Sequence, residues 1–174
     1  MKFNLLPISI NEVDYSDLPL LKKLSIETFN DSFRSERGDL SGYTKKNFNY
    51  GQLAVEMINP DSHFYFIYYN HKLAGYLKLN LNHAQSQDMG VDALEIDRIY
   101  LLQKFEYIGL ESKLINFAFD QAKKFHKHTV WSSVWEHNQP IIHFYNQFGF
   151  KSVASKKFHL IGRLHKDLVM KTSL

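Results

Sequence analysis

The chain has 174 residues, 44% of them hydrophobic and 22% charged, with a formal net charge of +3. Those proportions describe one globular domain with a substantial core; they exclude a disordered chain and, with no block of like charges, a dedicated nucleic-acid surface. The absence of cysteine excludes disulfides, thiolate nucleophiles and thiolate zinc sites. The segment Met1 to Pro7 lacks a long apolar core and a cleavage site, and no run is long enough to span a bilayer. A cytoplasmic protein without membrane contact is expected, whose mild positive balance suits an anionic cofactor.

In chain order, Phe3 to Ile10 reads as an opening strand. Asp14, Ser16 and Asp17 then offer acceptors for the orphan amides of a helix start, with Pro19 in its first turn. Leu21, Leu24, Thr28 and Phe29 continue at helical spacing. Asp31 to Gly42 is polar and reads as a loop. A second helix is expected from about Thr44, carrying Phe48, Leu53, Val55 and Met57 and ending before Pro60. Phe64–Tyr69 and Leu73–Leu79 form a hairpin around Asn70, His71 and Lys72.

His83 to Asp92 loops out, and Leu94 to Leu102 is the next strand. A third helix shows Leu110, Leu114, Phe117, Ala118, Ala122 and Phe125 on one face. Thr129 to Trp135 is a strand. Asn138 caps a fourth helix, with Pro140 in its first turn and Gly149 at its stop. Lys151–Phe158 and Lys166–Met170 close the chain as a strand pair. The resulting order βααβββαβαββ is α/β: one mixed sheet flanked by helices on both faces, a single domain over 1–174.

The stretch Asn138-Gln139-Pro140-Ile141-Ile142-His143-Phe144-Tyr145-Asn146-Gln147-Phe148-Gly149-Phe150 resembles the last motif of the Gcn5-related N-acetyltransferases (GNAT): Asn, an apolar helix with Phe-Tyr, then Gly-Phe. Asn59–Phe66, Leu73–Asn80, Leu94–Tyr100 and Trp135–Asn138 extend the likeness to the PaiA-type spermine/spermidine N-acetyltransferases. The resemblance implies the GNAT fold and an enzyme that moves an acetyl group from acetyl-CoA, its co-substrate, to an amine. The implied acceptor is a small molecule, a polyamine among the candidates. A protein or peptide N-acetyltransferase and a catalytically weak acyl-CoA-binding regulatory domain are the alternatives. No metal, nucleic-acid or membrane partner is implied, and a homodimer is left open.

The family's phosphate motif, Gln/Arg-x-x-Gly-x-Gly/Ala, falls on Glu106-Tyr107-Ile108-Gly109-Leu110-Glu111, followed by Ser112; only Gly109 fits it cleanly. Backbone amides at a helix start would hold the pyrophosphate. Glu111 stands where the family has a small residue, in a position to repel phosphates and cap the amides itself, with Lys104 and Lys113 as partial offsets. Ile99, Tyr100 and Leu101 match the strand whose backbone pairs with the pantetheine arm. Tyr145, off the expected buried stripe of Ile141, Phe144 and Phe148, matches the general acid for the departing thiolate, and Asn138 adds a cofactor contact. Glu95 is placed as general base, directly or through water, ahead of Asp97, which alternation puts on the same face. Asp31, Glu36 and Asp39 with Phe29, Phe33 and Tyr43 are the expected acceptor walls. The nine histidines show no metal-ligand spacing and read as surface residues.

Overall fold

The computed structural model describes residues 7–35 and 38–174. Along the chain run β1 (Ile8–Glu12), α1 (Leu18–Ser32), α2 (Ser41–Asn47), α3 (Tyr50–Ile58), β2 (Ser62–Tyr69), β3 (Lys72–Leu81) and β4 (Ala93–Leu101). Then follow α4 (Leu110–Lys124), β5 (Thr129–Trp135), α5 (Gln139–Gln147), β6 (Lys151–Leu160) and β7 (Arg163–Ser173). All seven strands join one sheet in the order β1-β2-β3-β4-β5-β7-β6. Only β4 and β5 run parallel; every other neighbour is antiparallel.

Strand alternation feeds both faces of this sheet. Tyr65 and Ile67 of β2, with Leu77 and Leu79 of β3, pack on Leu110, Leu114, Ala118 and Ala122 of α4. Phe64, Phe66 and Tyr76 point the other way, onto Leu21 and Leu24 of α1. Phe29 of α1, Leu53 of α3 and Phe48 between α2 and α3 close a second cluster on Leu160 of β6. The mixed sheet with helices on both faces is as the sequence implied.

Several boundaries differ. The helix expected from Thr44 to Pro60 is two, because Asn49 ends one and starts the next. Its side-chain nitrogen donates to the carbonyls of Lys45 and Lys46, at 2.8 and 3.0 Å, while its oxygen accepts from the Gln52 amide. Polar Ser32 stays within α1 because its hydroxyl donates to the Thr28 carbonyl at 2.9 Å. β1 begins at Ile8 and runs on to Glu12, and residues 3–6 of the expected opening strand lie outside the described residues. The last hairpin is tighter than expected, turning through Ile161 and Gly162, both at positive φ.

One feature of the sheet positions the site. The β4–β5 register runs only from Ala93↔Thr129 to Ile96↔Ser132. Beyond that pair β5 stays on β7, down to Trp135↔Asp167, while β4 stays on β3. Lys78 pairs with Arg98 but Leu79 with Ile96, so Asp97 is an extra residue, a bulge that bends β4. The two central strands therefore part like a fork after Ile96 and Ser132. Gly75 keeps β3 tight against the free length of β4, since a Cβ there would strike the Tyr100 carbonyl oxygen.

Candidate active site

The fork leaves Asp97 to Leu101 of β4 without a strand partner on the β5 side. Ile99 and Tyr100 are half-buried and Leu101 is buried, so their side chains serve the core while the backbone edge stays unpaired. Just beyond lies the loop into α4. Leu110 is fully buried and anchors the helix start, while Tyr107, Ile108 and Gly109 stand exposed. Gly109 precedes the helix at φ 88°, and Tyr107 also takes a positive φ, of 62°. An exposed loop of amides at the head of a fifteen-residue helix, next to an open strand edge, suits an extended anionic cofactor.

Glu111 is the misfit in that arrangement. Its Oε1 accepts from the Tyr107 amide at 3.1 Å, so a carboxylate already holds one loop donor. Glu106 is half-buried, its carboxyl pushed up by burial, then drawn down by Arg34 and raised again by Glu111. Ser112 is half-buried within the first turn. Asn138 caps α5 as expected: its side-chain oxygen accepts from the Ile141 amide at 3.3 Å.

Tyr145 reaches the fork from the α5 face. Its hydroxyl donates to Ser132 Oγ at 3.3 Å, and Ser132 Oγ donates to the Ile96 carbonyl at 2.8 Å. Ile96 and Ser132 are the last pair before the strands separate. The expected stripe of Ile141, Phe144 and Phe148 is only half-buried; Tyr145, at 1% exposure, is the residue that α5 buries. The reason is Phe150, whose ring meets the Tyr145 ring edge-on at 4.8 Å. Burial raises the phenol to about 12, so it holds its proton at neutral pH.

Glu95 reaches the same level from the opposite face, opposite Asn80 and Trp131 in the register. Its carboxylate accepts from Asn80 Nδ2 at 3.1 Å and from the Ser86 amide at 2.7 Å, and the Ser86 hydroxyl donates to its other oxygen. Burial raises its pKa, and the charge of Asp97 raises it further. Asp97 has a different fate. It lies 2.9 Å from Lys78 Nζ and 3.6 Å from Arg98 Nε, and both cations also bind Glu56 of α3, at 3.0 and 2.8 Å. Burial opposes the charge on Asp97, but Arg98 and Lys78 outweigh it and hold the carboxyl low. Simple alternation would put Ile99 behind Asp97 on this face; the bulge puts Arg98 and Tyr100 there instead.

The same face carries groups that motif reading missed. Lys156, Asp167 and Trp135 lie abreast across β6, β7 and β5. Burial raises Asp167 to about 6, against the pull of Lys156 and His165. Phe33 packs on Trp135 at 5.6 Å, and His165 stacks on Phe158. Ser133 Oγ, Trp135 Nε1 and His165 Nε2 are buried with no partner among the described residues. His165 is thus no surface histidine. Of the expected acidic wall, Asp39 is exposed and holds the start of α2 through Ser41, Asp31 sits at the end of α1, and Glu36 lies outside the described residues. Nothing in the Asp167 neighbourhood forms a sequence motif; its only signal was a carboxylate inside an otherwise inward-facing strand position. Among the described residues no group of three or more His, Asp and Glu is placed to hold a metal.

Comparison with known proteins converges on this geometry. The model of the acetyltransferase (GNAT) family matches residues 22–150. A Lactobacillus delbrueckii subsp. lactis protein described as an "uncharacterized N-acetyltransferase in pepI 3'region" is 34% identical over 169 residues, 96% of this chain and 98% of its own. The chain belongs to the GNAT family, and it is an acetyl-CoA-dependent N-acetyltransferase. Among solved structures, a PaiA N-acetyltransferase from Thermoplasma acidophilum in complex with coenzyme A superposes with a TM-score of 0.77 at 18% identity, covering 97% of this chain and 100% of that one. A putative acetyltransferase, yncA, from Salmonella typhimurium with acetyl-CoA gives 0.72 at 16%, covering 95% and 93%. These likenesses show the fold. No helix is long and apolar enough to cross a membrane among the described residues.

Proposed function

We propose that the chain acetylates the primary amine of a small cationic molecule, a polyamine in the first instance, with Glu95 as general base and Tyr145 as general acid. One observation carries this reading: a buried carboxylate next to the last β4–β5 pair and a buried phenol bonded to that pair lie on opposite faces of the sheet. A thioester held along the open β4 edge would then have its amine on one side and its departing sulfur on the other. Glu95, with its raised pKa, takes a proton from the incoming ammonium. Tyr145, held protonated by burial, gives one to the leaving thiolate. The free β4 edge supplies backbone amides for the pantetheine arm and the thioester carbonyl. Asp97 is a positioning residue, since its charge is spent on Lys78 and Arg98 while it lifts Glu95.

The polyamine preference draws on the acidic and aromatic character of the acceptor face, where Glu95 and Asp167 lie among Trp135, Phe33 and Tyr43. The likeness to a PaiA enzyme points the same way. Thiol release from acetyl-CoA against a panel of polyamines, other small amines and peptides tests the acceptor. The Tyr145→Phe variant tests the acid: CoA binding should be retained and turnover should drop roughly a hundredfold or more. Unchanged turnover in that variant removes Tyr145 from the reaction, and a peptide preference removes the small-amine reading.

A further inference from the structure

We infer that the amine of Lys156 is itself an acceptor, so that the protein acetylates its own β6 strand when no external amine is supplied. The inference rests on the assignment of Glu95 and Tyr145 above.

Lys156 lies on the acceptor face, level with Trp135 and therefore past the point where β4 and β5 separate. Its half-buried side chain reaches back across the sheet, and Nζ donates to Ser86 Oγ at 3.3 Å. The Ser86 hydroxyl donates in turn to Glu95. Amine, hydroxyl and carboxylate thus form a continuous proton route that ends on the base proposed for external amines. The Lys156 charge is also felt by both Asp97 and Asp167, so its ammonium sits where a cationic acceptor would be attracted.

The other lysines nearby are differently placed. Lys78 is clamped between Glu56 and Asp97, at 3.0 and 2.9 Å, and is not free to swing toward the fork. Lys166 is paired with Glu136 at 2.9 Å. Lys157 is exposed and alternates to the other side of β6. Among the described residues Lys156 makes no salt bridge, so its amine is not clamped in place as Lys78 and Lys166 are.

In the reaction, one Nζ proton passes through Ser86 to Glu95. The nitrogen lone pair then forms a C–N bond to the acetyl carbonyl carbon of acetyl-CoA as the C–S bond breaks. The CoA thiolate takes the Tyr145 proton, the nitrogen's second proton restores that phenol, and Glu95 releases its own to solvent. The products are N-acetyl-Lys156, free CoA and one proton.

The test is incubation of the full chain with acetyl-CoA and no amine, followed by intact-mass measurement and peptide mapping. One added acetyl group at Lys156 is expected, slowed about a hundredfold in Tyr145→Phe, abolished in Lys156→Arg and kept in Lys157→Arg. Circular dichroism of Lys156→Arg establishes that the variant is folded. Amine turnover without modification of Lys156 overturns the inference and leaves the Glu95–Tyr145 assignment standing. Acetylation spread over surface lysines and indifferent to Tyr145→Phe is chemical, and also overturns it. Loss of both turnover and modification overturns the Glu95–Tyr145 assignment and this inference with it.

Discussion

Glu95 and Asp97 are two residues apart, yet only one is left available for proton transfer. Asp97 is held ionised by two cations, while burial and the neighbouring charge make Glu95 easier to protonate. The base proposed here works only while ionised, so the rate should fall as pH drops through the raised Glu95 pKa. Glu95→Gln should cost roughly a hundredfold in turnover and lose that acid limb, as a pH–rate profile against the wild type would reveal. Glu111 is a second residue whose chemistry opposes its proposed setting, since it answers the Tyr107 amide within the loop proposed to hold the cofactor's phosphates. Glu111→Gly should tighten CoA roughly twofold to fivefold, the equivalent of about 0.3–1 kcal/mol, and lower the melting temperature of the free protein. Calorimetric titration reads the first sign and a thermal scan the second; in high salt the gap in affinity should shrink, because salt screens the repulsion between Glu111 and the phosphates. Gly109 and Asn138 were legible in the sequence, since a left-handed turn before α4 and a cap on α5 each have a local cause. The partners of Asp97 were not: Glu56 and Lys78 reach it from α3 and β3, and no local pattern announces such a meeting.

Among the elements, those with a local cause read most clearly. The hairpin of β2 and β3, the apolar face of α4 and the capped start of α5 all carry their own period or cap. The break between α2 and α3 also left a trace, Asn49 followed three residues later by Gln52, the spacing of a helix start. It was hidden by apolar residues that continue on both sides of it. Asn49 serves two helix ends at once, so Asn49→Ala should destabilise the fold by about 1–2 kcal/mol, the upper part of the range for a single cap. Thermal unfolding of the two forms measures it. The bulge at Asp97 had no such trace, because it depends on where β3 fixes its neighbour. That one extra residue decides which side chains continue the face of Glu95.

For the molecule as a whole, the acceptor face couples stability to pH through Asp167. Its folded pKa of about 6 lies above the ordinary value of 3.8, so the folded state binds the proton more tightly. Stability should therefore fall as pH rises between about 4 and 6. Asp167→Asn should flatten that slope and melt higher than the wild type above pH 6, the difference vanishing near pH 4; thermal scans across the range would show it. The sheet's outer margin is guarded in the usual way, with Lys151 and Lys157 exposed along β6 to discourage a second strand. The edge opened by the fork has no such guard. It faces inward, between β4 on β3 and β5 on β7, two flanks of one continuous sheet. Another polypeptide strand, with side chains on both faces, could dock there only by wedging the sheet apart, whereas a slender unbranched arm can slide in lengthwise. A fork used in that way would work as a slot gauge, admitting partners by thickness before any side chain tests their chemistry.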